Sequence, residues 1–274
     1  MMSCKIAFKV HGSRGQSAKH FLALVVMVLG CWTTAGQAEG THGDTMAKLP
    51  PQNTWSFSGP FGAFDRAALQ RGFQVYKEVC AGCHSVKHLR YEKLQALGFS
   101  KAEIKAIAAS AEVPGPLNDD GEPTTKPAEP ADYFARPYPN EKAARAANNG
   151  AYPVDLSLIT KARKYGADYV VALLTGFAQA PKNFHLMPGM YYNPYFEGHQ
   201  IAMAPPLAEG LVTYSDGTPA TVEQMAHDVV TFLAWVSEPE LEERKRLGIK
   251  VLIFLSFFTL LLFILMRRTW RGIK

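Results

Sequence analysis

Cysteine is scarce in this chain, and with it any basis for a disulfide framework. Four cysteines occur in 274 residues. Cys4 and Cys31 lie near the start, which leaves only Cys80 and Cys83, three residues apart, for the rest of the chain. One such pair excludes a small disulfide-stapled fold. Acid is missing from residues 1–38, which carry Lys5, Lys9, Arg14 and Lys19 and an apolar run from Phe21 to Trp32. A basic start, a short apolar run and the small pair Gly36 and Ala38 read as a secretory signal over 1–38. That run is shorter than the roughly 20 residues a spanning helix needs. Lys and Arg are missing from Asn183 to Leu241, where Glu197, Glu209, Asp216, Glu223, Asp228, Glu238 and Glu240 stand. No internal repeat is visible.

The formal net charge of +5 is carried by the ends. Setting aside four basic residues in 1–38, and eight basic and two acidic in 242–274, leaves 17 basic against 22 acidic over 39–241. An acidic body disfavours nucleic acid and favours cationic partners.

Residues 39–60 read as an irregular arm. Over 65–80, Leu69, Gly72, Phe73, Tyr76 and Cys80 share one helical face. A glycine there costs about 1 kcal/mol against alanine, so it marks a close helix crossing. The expected partner is the helix after Thr221, near Phe232 or Trp235. Residues 91–111 read as helical. Residues 112–140 hold seven prolines and the turn-like acidic patch Asp119-Asp120-Gly121-Glu122, and read as a long surface excursion. Residues 141–149 and 157–177 read as helices, and 178–220 as Pro-rich loop. Thr221-Val222-Glu223-Gln224 fits a capping box, and Val222, Met225, Ala226, Val229, Val230, Leu233 and Val236 give the stripe of the helix it opens. Pro239 marks its end.

The last segment is apolar from Val251 to Met266, and reaches spanning length when extended back to Leu247. Arg244, Lys245 and Arg246 flank one end, and Arg267, Arg268, Arg271 and Lys274 the other. Flanking charge therefore does not orient it. The signal does, placing the body outside and the C-terminus in the cytoplasm. The organisation read is 1–38 signal, 39–241 exported body, 242–274 membrane anchor and tail.

Cys80-Ala81-Gly82-Cys83-His84 is the C-x-x-C-H pattern of covalent haem attachment. Two thiols about one helical turn apart reach the two vinyl groups along one porphyrin edge, and the next residue offers an imidazole to the iron. A zinc site would need further ligands, and no other cysteine remains. A thioredoxin-like pair would need a βαβ setting, which is absent. The sixth iron ligand is open on spacing alone. Met46 lies in the arm and Met225 on the apolar stripe. Met187-Pro188-Gly189 and Met203-Ala204-Pro205-Pro206 are both rigid loop methionines, with Met190 beside the first. His185 and His199 are the bis-histidine alternatives.

Longer blocks narrow the reading. They include Arg71 to Cys80, Tyr138-Pro139-Asn140, the run Ala143 to Ala151 containing Asn148-Asn149-Gly150, Tyr192 to Phe196, Met203-Ala204-Pro205-Pro206, Asp216 to Thr221 and Arg244 to Gly248. Together they resemble the cytochrome c1 family, the haem subunit of ubiquinol–cytochrome c oxidoreductase, across nearly all the chain beyond the signal. The resemblance implies a mostly α, class I cytochrome c-like haem domain with long Pro-rich loops and one C-terminal transmembrane helix. It implies one covalently bound haem c, with Met203 as sixth ligand and Arg163 and Tyr169 at a haem propionate. It implies an electron-transfer subunit that is no enzyme on its own. Its partners would be a cytochrome b subunit, a Rieske iron–sulfur protein and a soluble basic cytochrome c, in a dimeric complex of the bacterial inner membrane with the haem domain in the periplasm. The acidic stretch 183–241 suggests a rim that steers the basic carrier. Family members often read Pro-Pro-Asp-Leu-Ser where this chain has Pro153-Val154-Asp155-Leu156-Ser157. That departure touches packing at the haem edge. Two other readings compete. An independent membrane-anchored monohaem cytochrome shares the anchor and motif but not the longer blocks. A peroxidase or ligand sensor would need an open iron position or a second haem.

Overall fold

A computed structural model describes residues 46–272. The signal read over 1–38 lies outside the described residues. The framework is a pair of crossing helices, α1 (Arg66–Val75) and, far along the chain, α6 (Val222–Ser237). Asp65 caps α1 by accepting from the Ala67 and Ala68 N–H groups. The crossing sits at Gly72, where an added Cβ would lie 2.0 Å from the Asp228 carbonyl oxygen and 2.8 Å from the Phe232 Cβ. Phe232 is the neighbour expected from sequence. The second contact is the Asp228 backbone, not Trp235.

Aromatic rings fill the space around the crossing. Phe73 and Tyr76 each lie 5.6 Å from the Phe232 ring, Phe134 stacks on Tyr91 at 4.2 Å, and Trp235 backs Phe232 at 6.0 Å. One ion pair joins the two helices, with Asp228 buried and Arg71 half-buried. Arg71 sets its Nε and one terminal nitrogen on the two oxygens of Asp228, at 2.9 and 3.0 Å. Its other terminal nitrogen reaches Asp216 at 2.9 Å. Asp228 and Asp216 together hold the Arg71 guanidinium above its ordinary pKa, against the opposing effect of burial.

Several predicted elements take a different form. The helix over 65–80 is α-helical only to Val75 and continues as a π-helical turn, Tyr76–Cys80. The stretch 91–111 divides into a 3₁₀ helix, Tyr91–Leu97, and α2 (Lys101–Ala109), because Gly98 at φ +97° ends the first and a Ser100/Glu103 capping box starts the second. The excursion 112–140 contains a hairpin of β1 (Glu112–Leu117) and β2 (Pro123–Pro127), paired Val113 to Lys126 and irregular beyond Pro114. The acidic patch is its turn, where the Asn118 side chain accepts from the Asp120 and Glu122 N–H groups.

Helix α3 (Glu141–Ala147) forms as expected. The stretch 157–177 breaks into α4 (Ile159–Ala162) and α5 (Gly166–Thr175) at Tyr165, whose φ is +67°. The loop 178–220 holds one short pair, β3 (Tyr191–Tyr192) and β4 (Gln200–Ile201). At α6, Thr221 accepts from the Gln224 N–H, but Gln224 gives its side-chain amide to Asp228, so only half of the capping box is made.

Helix α7 (Leu241–Arg271) runs unbroken for 31 residues, and only Leu241 in it is buried. It is long and apolar enough to cross a membrane. Its first turns belong to the domain. Glu242 accepts from the Phe64 N–H and pairs with Arg66, while Lys245 donates to the carbonyls of Phe57 and Gly62. The whole is mostly helical, with small sheets and one long apolar C-terminal helix, as the sequence led us to expect.

Candidate haem-attachment site

The π-helical turn delivers the motif to the end of α1. Ala81 N–H reaches back to the Tyr76 carbonyl, and the Cys80 carbonyl then accepts from both Cys83 N–H and His84 N–H, at 3.1 and 2.8 Å. Such widened turns are frequent at functional sites. Both thiols are free of disulfide. Cys80 is half-buried, and burial, then the neighbouring Cys83, push its thiol up to about 12. Cys83 is exposed, with the Tyr138 hydroxyl 4.0 Å from its sulfur.

His84 is held by its ring. Its Nδ1 lies 2.7 Å from the Val154 carbonyl oxygen. A carbonyl only accepts, so Nδ1 carries the proton and Nε2 keeps its lone pair. Burial lowers the His84 pKa, with the Val154 contact opposing, so the neutral ring is the favoured form. The segment that supplies Val154 is itself clasped to the motif. Asp155 accepts from Ser85 Oγ at 2.7 Å, Lys87 N–H at 3.0 Å and Ser157 N–H at 3.1 Å. Burial works to raise the Asp155 pKa, and these hydrogen bonds outweigh it and hold the group below its ordinary value. Leu156 N–H donates to the Ser85 carbonyl, and the Tyr76 hydroxyl to the His84 carbonyl. The Pro-to-Val departure at 154 leaves the histidine contact intact, because that contact uses the backbone carbonyl.

Of the candidate sixth ligands, Met225 is fully buried in α6 and serves the core, while Met46 and Met187 are exposed. Met190 and Met203 are half-buried, the latter just after β4. His185 is exposed, and half-buried His199 packs its ring near Phe184 and Tyr192. Arg163 is exposed at the end of α4, and Tyr169 is half-buried in α5. Burial raises the Tyr169 pKa, and the Arg163 charge opposes it.

Most carboxylates of the acidic stretch have partners within the chain. Asp228 and Asp216 serve Arg71, Glu209 accepts from the Val222 N–H, Glu238 bonds Lys161 and Arg244, and Glu240 lies 3.3 Å from Lys93. Asp228 is buried and Glu238 half-buried, while Glu197, Glu209, Asp216, Glu223 and Glu240 are exposed. A count of charge along the chain does not reveal these partners, because most come from distant segments. The clasp of Val154 and Asp155 was missed as well. A backbone acceptor leaves no mark in sequence, though an aspartate two residues before a serine hints at a local hydrogen-bonded turn.

The residues present suit a covalently held porphyrin. Two unpaired thiols precede an imidazole whose free nitrogen is set by its partner. Tyr152, Val154, Leu158 and Tyr165 leave 40–49% of their surface uncovered along the segment that clasps His84. Exposed apolar side chains beside free thiols and an imidazole are compatible with an apolar cofactor. Among the described residues, no group of three or more His, Cys, Asp or Glu side chains converges as a metal site would need. A separate cleft of about 230 Å³, lined by Phe73, Tyr76, Tyr91 and Phe134, excludes both cysteines and His84. It also falls below the roughly 300–1,000 Å³ of ligand pockets.

Comparison with known proteins points the same way. Residues 55–273 match the model of the cytochrome C1 family. The mitochondrial cytochrome c1 heme protein of Saccharomyces cerevisiae is 49% identical over 225 residues, covering 82% of this chain and 73% of that protein. Cytochrome c1 of Rhodospirillum rubrum is 47% identical over 236 residues, covering 80% of this chain and 87% of that protein. Cytochrome b/c1 of Bradyrhizobium diazoefficiens is 44% identical over 94% of this chain, which spans 41% of that longer protein.

Proposed function

The chain belongs to the cytochrome c1 family, and from that premise we propose that it relays single electrons within a quinol-oxidising membrane complex. Its reductant is a Rieske iron–sulfur protein and its oxidant a soluble basic cytochrome c. A cytochrome b subunit is its membrane neighbour, and the complex is a dimer. The body lies in the periplasm of a bacterial inner membrane, with α7 as a single-pass anchor and the C-terminus in the cytoplasm.

Members of the family carry a covalently bound haem c. When bound, that group supplies one iron that exchanges a single electron. Cys80 and Cys83 would hold it through thioethers, and His84 Nε2 and Met203 sulfur would be the ligands to its iron. The Nδ1–H to Val154 bond fixes the His84 ring and makes Nε2 a stronger donor. A methionine and a histidine ligand together would favour the reduced state and suit electron transfer. Arg163 and Tyr169 bind a propionate, the guanidinium through charge-assisted hydrogen bonds. The observation that carries this reading is the Cys80–His84 turn with both thiols free and the imidazole tautomer set.

The test is to solubilise native membranes gently, capture the chain by a tag after Lys274, and record reduced-minus-oxidised spectra with low-temperature EPR. Co-purifying b-type haem and a Rieske signal support the reading. A lone c-type haem, persisting in gentler detergents, replaces it with an independent anchored carrier. Met203→Leu should abolish the near-infrared sulfur-to-iron band. A variant that keeps the band removes Met203 as ligand and brings Met187 back.

A further inference from the structure

The proposed ligand methionine hangs between two anchors. Upstream, β3 and β4 pair Tyr191 with Ile201 and Tyr192 with Gln200, and buried Asn193 ties this turn to the domain through the Leu173 carbonyl at 2.7 Å. Downstream, the chain from Leu207 to Asp216 lies over the crossing of α1 and α6, with Leu207, Val212 and Tyr214 buried. Gln74 donates to the Thr213 carbonyl at 3.0 Å, and Arg71 to Asp216 at 2.9 Å, its guanidinium 5.8 Å from the Tyr214 ring centroid. Among the described residues none hydrogen-bonds to residues 202–206. Met203 therefore takes its place from what holds each end. Pro205 and Pro206 make the downstream link stiff, since each fixes its own backbone and restricts the residue before it.

We propose that Arg71 is a positioning residue for the Met203 ligand. Its planar fork bonds the Asp228 carboxylate inside the helix pair with two nitrogens and the downstream anchor at Asp216 with the third. One rigid group thus references the ligand loop to the same helix that ends in the haem-attachment turn. Both axial ligands of the iron would then be set from α1, His84 through the turn at its end and Met203 through Arg71. Loosening the Asp216 arm lets the loop open more often, and each opening frees the sixth coordination position. This inference rests on Met203 being the ligand.

The experiment uses the full chain in its purified complex and three variants. Asp216→Asn removes the charge from the loop arm and leaves Arg71 on Asp228. Asp216→Glu restores the charge, and Met203→Leu removes the ligand. Carbon monoxide binding to the reduced haem c reports opening, the near-infrared band reports the thioether, and the far-UV melting curve reports the fold. The partly exposed ion pair limits the gain in opening to about threefold. We expect Asp216→Asn to speed carbon monoxide binding by about that factor with the melting curve unmoved, and Asp216→Glu to reverse it. An unchanged rate, with the band present in the native chain and lost in Met203→Leu, overturns the role of Arg71 alone. A rate that rises only in step with a falling melting curve also overturns it, leaving Arg71 structural. A band that survives Met203→Leu overturns the ligand assignment and this inference with it.

Discussion

Helices α6 and α7 are both strongly apolar, separated by Glu238, Pro239 and Glu240, and treated in opposite ways. From Met225 to Val236 nearly every residue of α6 is buried within the domain. In α7 only Leu241 is. The difference lies in where polar groups go. Helix α6 carries Asp228, His227 and Thr231, and each finds a protein partner in Arg71, Asn53 or its own helix backbone. Between Val251 and Met266, α7 carries no charge at all. A helix that buries polar groups against partners is solvated by protein. One that carries no charge is suited to lipid, where an unpartnered charge is costly.

Matched substitutions sharpen this contrast. Phe232→Ala in α6 should cost about 3–5 kcal/mol of stability, since it opens a cavity in the aromatic cluster. Phe258→Ala in α7 should leave the domain's denaturation midpoint unchanged; similar losses at both sites would break the comparison. Phe258→Asp should oppose membrane insertion by about 3 kcal/mol, read as chain lost from the membrane fraction, with the haem domain's own melting unaffected. Thr221→Ala should cost about 1 kcal/mol by removing the cap of α6, seen as a lower midpoint.

The smallest expected effect is at the junction. Burial works to raise the Glu238 pKa, and hydrogen bonds from Lys161 and Arg244 outweigh it, so the folded value lies below the ordinary carboxylate range. Its contribution is full above that range and is lost as the pH falls through the folded value. Denaturation curves of the native chain and Glu238→Gln should therefore differ near neutral pH and converge in acid. A gap that persists in acid would remove ionisation of Glu238 as its source.

What the sequence made legible followed from local chemistry. Gly72 announced the helix crossing, because a glycine on an apolar stripe needs a reason. Thr221 announced the start of α6, and the uncharged run announced α7. The haem-attachment turn was legible as a motif, and the family blocks as a pattern. The hairpin at 112–127 was not, because Pro114, Pro116, Pro123 and Pro127 argue against any strand that needs its N–H groups, and only a short two-stranded edge tolerates them. The break at Tyr165 was not legible either, since tyrosine rarely adopts a positive φ, and the local sign of it, Gly166 at φ +54°, went unread. The partners of the acidic stretch were set by tertiary contacts with Arg71, Lys93 and Lys161, far away in sequence.

The unbroken path from Glu242 and Lys245 into α7 has a metric consequence. A 31-residue helix is about 46 Å long, roughly half as long again as the hydrocarbon layer is thick. Its first turns are fastened to the domain, so the helix works as both ruler and dial. Each residue between the clasp and the apolar run fixes about 1.5 Å of height above the bilayer and about 100° of heading. One residue inserted near Gly248 would lift the redox domain only slightly, yet turn it to face more than a quarter-circle away from its neighbours. For a domain fastened to such a helix, azimuth is held to a far tighter tolerance than altitude.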